Sequence, residues 1–63
     1  MVSASIEDVQ TALKNAGFYK GTVDGKIGQQ TKKAIESFQR KHNLTADGVI
    51  GRRTWEELKA YLQ

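Results

Sequence analysis

Eight residues of this chain are written twice. Asp24-Gly25-Lys26-Ile27-Gly28-Gln29-Gln30-Thr31 returns twenty-three residues later as Asp47-Gly48-Val49-Ile50-Gly51-Arg52-Arg53-Thr54. Both copies read Asp-Gly-x-Ile-Gly-x-x-Thr. Five fixed positions in eight, at one offset in 63 residues, point to one supersecondary unit used twice. The unit has a physical reading. Asp bonds its own downstream backbone and Gly25 or Gly48 accepts a positive φ, so Asp-Gly turns the chain. Ile27 or Ile50 is expected to be a buried anchor. Gly28 or Gly51 then caps a helix, and Thr31 or Thr54 lies in its first turn, where a hydroxyl meets an unpaired backbone group. In the second copy Ile50 and Trp55 have the spacing of a hydrophobic staple. In the first, Lys32 stands where Trp55 would, and only its alkyl stem could pack.

The flanking residues supply the helices. Ser5 is a good N-cap, with Asp8 complementing the dipole. Ile6, Val9, Leu13 and Ala16, flanked by Ala12, fall on one helical face, which predicts a helix over 6–16. Gly17 is expected to end it in a left-handed conformation, with Phe18 folding back on the last turn. The connection over 17–28 carries Phe18, Val23 and Ile27 and is expected to pack against the body. Packed loops of this length are often functional. Thr31, Ala34, Ile35 and Phe38 predict a second helix over 29–42, ended by Asn43 and followed by Leu44. Trp55, Leu58 and Leu62, with Tyr61 at the edge, predict a third over 52–62. The first loop holds three residues more than the second, and Tyr19-Lys20-Gly21 is the natural insertion. The expected fold is all-α: a compact three-helix bundle over 6–62 with two packed Asp-Gly loops, preceded by a flexible tail over 1–5.

A domain this small buries only about 60% of its unfolded surface, so its stability is marginal. No cysteine is present to supplement the core. No stretch is long and apolar enough for a signal peptide or membrane span. The net charge of +3 permits an anionic partner without naming one.

Taken together, several motifs resemble a known family. They are Val9-Gln10-x-x-Leu13, Gly17-Phe18-Tyr19-x-Gly21-x-Val23-Asp24-Gly25-x-Ile27-Gly28-x-x-Thr31, Ala34-Ile35-x-x-Phe38-Gln39, and Leu44-x-x-Asp47-Gly48-x-Ile50-Gly51-x-x-Thr54-Trp55-x-x-Leu58. The pattern is similar to the peptidoglycan-binding domain of the three-helix type, a small module appended to bacterial cell-wall hydrolases. The resemblance implies a non-catalytic module with a shallow surface groove. Such a module would hold an attached enzyme on the glycan or stem peptide of the wall, in the cell envelope or outside the cell. The sequence departs from that pattern at Val9, where the family often has Leu, and at Gln29 and Arg52, where it often has Pro. Losing Pro at the first helical position slightly loosens helix initiation.

Catalysis and metal binding find little support. His42 is the only histidine, and no base and orienting acid sit beside Ser3, Ser5 or Ser37 in a recognisable pattern. One histidine without cysteine makes no metal cluster. No cofactor is expected, and the chain is expected to act as a monomer. The candidate ligand contacts are Tyr19, Asp24, Lys32, Gln39, Arg52 and Arg53. Tyr19 could offer a flat face to a sugar ring or simply pack in its loop. Gln39 follows inward-facing Phe38 and either bonds a loop backbone or meets ligand; Gln10 poses the same choice. Lys32 with Lys33, and Arg52 with Arg53, stand at helix starts, where cations oppose the macrodipole. They suggest an electropositive surface for carboxylates or anionic polymers, against the plainer reading of solvated charge. Two other functions compete. A protein–protein docking module could use the same fold. A nucleic-acid binder is the more distant reading, because a helix-turn-helix needs a turn of three or four residues. About nine connect the second and third helices here, and Glu56 and Glu57 would face phosphates.

Overall fold

The computed structural model describes residues 4–62. It contains helices α1 (Ile6–Asn15), α2 (Gln29–Lys41) and α3 (Arg52–Leu58), and α3 runs directly into a 3-10 turn over Lys59–Leu62. No strand occurs among the described residues. Helix α1 is the hub: it packs against α2, α3 and the final turn.

The local signals act as their chemistry requires. The Asp8 amide donates to Ser5 Oγ at 3.0 Å, satisfying one of the free N–H groups of the first turn. Ala4, within the expected tail, already packs on the core; residues 1–3 of that tail lie outside the described residues. Gly17 takes φ +89° and Asn43 φ +58°. After each, the chain closes a Schellman motif. Phe18 N–H donates to Leu13 C=O at 2.9 Å, and Leu44 N–H to Gln39 C=O at 2.8 Å. Helices α1 and α2 each end one residue earlier than expected, with Ala16 and His42 as C-caps.

The core is Val9, Ala12, Leu13, Tyr19, Ala34, Ile35, Phe38, Ile50 and Leu58. Phe38 sits at its aromatic centre. Phe18 and Tyr61 meet it edge-on at 5.6 and 5.9 Å between centroids, and His42 stacks on it at 4.1 Å. His42 also pairs with Glu57 at 3.5 Å, tying the end of α2 to α3. Trp55, Tyr61 and Leu62 are half-buried against this core.

Two expectations are corrected. Ile27 is not a buried anchor: it is 43% exposed, whereas Ile50 is 1% exposed. The longer first loop delivers Tyr19 to the interior, so its apolar anchor comes from the insertion and Ile27 stays at the surface. The third helix does not continue to Leu62. Its last four residues tighten into a 3-10 turn, a common helix ending. Asn15 Nδ2 donates to Tyr61 C=O at 2.6 Å and holds that turn on α1.

Both Asp-Gly turns place glycine at positive φ, Gly25 at +74° and Gly48 at +72°. Their surroundings differ. A Cβ on Gly25 would meet Glu7 Cγ at 3.4 Å, but one on Gly48 would meet Lys32 Cγ and Cε at 2.9 Å. Either alanine variant carries the left-handed penalty of about 1–2 kcal/mol. Gly48→Ala also displaces Lys32, so its thermal midpoint is expected to fall below that of Gly25→Ala in parallel melts.

Candidate functional site

Two fully buried glutamines organise the loops. Gln10, on α1, reaches the first. Its Nε2 donates to Asp24 Oδ1 at 3.0 Å, Lys26 C=O at 2.9 Å and Thr31 Oγ1 at 3.2 Å. Its Oε1 accepts from the amides of Asp24 and Gly25 at 3.1 and 2.9 Å. Gln39, on α2, repeats the arrangement on the second loop. Its Nε2 donates to Asp47 Oδ1 at 3.0 Å, Val49 C=O at 2.9 Å and Thr54 Oγ1 at 3.2 Å. Its Oε1 accepts from Gly48 N–H at 3.0 Å. One side chain thus replaces water for a whole turn. No buried side-chain polar atom among the described residues lacks a partner, as a closely packed interior requires.

The geometry explains the unequal loops. Gln39 lies two residues before the end of α2, at the position whose carbonyl accepts the Schellman bond; Gln10 lies one turn before the corresponding position, Leu13, in α1. The first loop must reach back that extra turn, and its three additional residues include Tyr19. The Tyr19 hydroxyl donates to Thr22 C=O at 2.7 Å and accepts from Gln10 Nε2 at 3.4 Å.

Each Asp completes its turn from its own side chain. Asp24 Oδ1 accepts from Lys26 N–H and Asp47 Oδ1 from Val49 N–H, both at 3.0 Å. These bonds favour the ionised carboxylates. The Gln10 amide, then the Lys26 N–H, hold Asp24 below its ordinary 3.8. The Val49 N–H, then the Gln39 amide, do the same for Asp47. A depressed folded-state pKa contributes stability that is complete above the unfolded value and lost as pH falls through the folded one. The thermal midpoint is therefore expected to be level from neutral pH down to about 5 and to drop below about 4. An Asp24→Asn/Asp47→Asn variant should show a shallower acid limb.

The structure sorts the six candidate contacts. Tyr19 is 5% exposed and Gln39 1%. Both are interior parts of the loop supports, so neither presents itself to a surface ligand. Asp24 is exposed, with Oδ1 engaged in its own turn. The other three gather at the second loop. Lys32 lies over Gly48, and Arg52 and Arg53 line an open cleft of about 320 Å³ with Asn43, Leu44, Thr45, Asp47, Val49, Gly51 and Thr54. Val49, 54% exposed, is an apolar wall that sequence reasoning passed over. An apolar residue between Gly and Ile in a turn gave no sign of which way it would face. No group of His, Cys, Asp and Glu suited to a metal occurs among the described residues, and no helix is long and apolar enough to cross a membrane.

Three helices, two amide-pinned loops and an open charged cleft define a small all-helical binding module. Residues 2–58 match the family described as "Putative peptidoglycan binding domain", and the chain belongs to that family. It is 43% identical over 53 residues to the N-acetylmuramoyl-L-alanine amidase CwlM of Mycobacterium tuberculosis, a match covering 84% of this chain and 13% of that protein. It is 47% identical over 58 residues to a spore cortex-lytic enzyme of Bacillus cereus, covering 87% of this chain and 22% of that protein. The chain therefore spans under a quarter of the length of either relative. The crystal structure of the SleB N-terminal domain superposes with a TM-score of 0.87 at 38% identity, covering 95% of this chain and 86% of that one.

Proposed function

We propose that the chain is a non-catalytic wall-binding module that holds an attached hydrolase on peptidoglycan, in the cell envelope or outside the cell, and that it works as a monomer. The observation that carries this reading is the pattern of coverage. Relatives named as amidases and cortex-lytic enzymes share only this stretch, and most of their length lies elsewhere. The division of roles within the fold supports it: buried glutamines fix the loops, and the exposed Arg52 and Arg53 line the cleft beside the second loop.

Sedimentation with purified sacculi tests the proposal. The chain is expected in the pellet, and duplex DNA should not compete. Recovery in the supernatant at low salt would overturn the reading. Arg52→Glu/Arg53→Glu reverses two exposed charges without touching the core. Retention is expected to fall about tenfold or more, the equivalent of about 1.4 kcal/mol. Unchanged retention would remove the arginines from the binding surface.

A further inference from the structure

The cleft beside the second loop holds charges of both signs that are not spent on each other. Asp47, Arg52 and Arg53 all line it, yet no salt bridge joins them; the one side-chain contact of that kind among the described residues is His42 with Glu57. The bonds that Asp47 accepts from Gln39 and Val49 fall on Oδ1, which leaves Oδ2 for another donor. Those same bonds keep the carboxylate ionised. Leu44 and Val49 supply aliphatic wall in the same cleft.

What the cleft lacks is equally specific. None of its lining residues is aromatic. The chain's tryptophan, two tyrosines and two phenylalanines all belong to the core or pack against it. A sugar ring would find no flat apolar platform there. At about 320 Å³, the cleft is at the small end of ligand sites, suited to a single residue of a polymer.

We infer that this cleft receives the wall's stem peptide and not its glycan. The group it fits is an aliphatic diamino-acid residue ending in both an ammonium and a carboxylate. Asp47 takes the ammonium, Arg52 and Arg53 take the carboxylate, and the methylenes lie on Leu44 and Val49. The assignment rests on the wall-binding reading and names the part of the wall that is held.

Calorimetric titration with defined tripeptides tests it. One carries meso-diaminopimelate with both end charges free. The others have its end carboxylate amidated, its end amine acetylated, or lysine in its place. The free form should bind best, and each blocked or shortened form should lose about fivefold, as expected of one partly exposed charge contact. Asp47→Asn keeps an Oδ1 acceptor for the turn and should abolish only the sensitivity to acetylation. Arg52→Gln/Arg53→Gln should abolish only the sensitivity to amidation. Circular dichroism confirms that each variant is folded.

Equal binding of free and blocked peptides would overturn the inference. So would binding of a glycan oligomer without any peptide, or of an anionic phosphate polymer with no dependence on Asp47. If sacculi still retain the chain in those cases, wall binding stands and the cleft assignment falls. If the free tripeptide binds as described but sacculi do not retain the chain, the assignment stands and the wall-targeting reading fails.

Discussion

Gln39→Ala is expected to remove a large part of the domain's stability. The side chain is 1% exposed and makes four bonds, to Asp47, Val49, Thr54 and Gly48. Truncation strands at least the Gly48 N–H and the Val49 C=O at a site only partly open to water. Each stranded group costs about 1–3 kcal/mol, so a loss of about 3 kcal/mol or more is expected. A domain of this size has roughly 3–9 kcal/mol in total. One kcal/mol is worth about 4–8 °C here, so the midpoint should fall by more than about 12 °C. Arg40→Ala, next door but exposed, should change stability by less than about 0.5 kcal/mol. A second readout identifies the mechanism. In the molecules that remain folded, Asp47 loses a hydrogen bond to its charged form, and its pKa should rise toward the ordinary carboxylate value. A melt that drops with no change at Asp47 would mean that the amide does not support the loop.

Phe38→Ala is expected to be as damaging for a different reason. Phe38 is fully buried and is the ring on which Phe18, His42 and Tyr61 converge. Its removal loses apolar burial and leaves a cavity, together about 3–5 kcal/mol. The damage should spread to both ends of the structure. His42 loses its stacking partner at the end of α2, and Tyr61 loses its edge contact in the final turn. Phe38→Leu keeps most of the volume and should cost about 1.5 kcal/mol or less. Chemical denaturation with unchanged m-values checks both variants. A loss for Phe38→Ala no larger than for Phe38→Leu would contradict the central position given to this ring.

How far the sequence could be read follows from which forces are local. Ser5, Gly17 and Asn43 act on groups within a few residues, and the helix limits they imply agree with the structure to within one residue. The duplicated Asp-Gly turns are local too, since each Asp closes its own loop. Ile27 was misjudged because burial is not local. Identical motifs bury different residues once one loop is longer and brings Tyr19 inward. The early end of α3 was hidden for a similar reason: the tightening is held from α1, through Asn15, by a contact no helical periodicity encodes. The glutamines were half legible. A polar residue beside an apolar stripe marks a buried hydrogen bond, and a structural role for Gln10 and Gln39 could be weighed on that ground. Their equivalence was obscured because they lie twenty-nine residues apart, whereas the loops they hold repeat at twenty-three. Lys32, Arg52 and Arg53 gather at one loop, whereas Tyr19 and Gln39, chosen for their chemistry alone, are parts of the interior.

The amide-pinned second loop and the start of α3 are proposed to form the face that meets the wall. Amide chemical-shift mapping during titration with soluble muropeptides reads this directly. Perturbations should concentrate at residues 43–54 and leave the loop over 17–28 largely unmoved. Shifts confined to the first loop, or no shifts at saturating muropeptide, would contradict it.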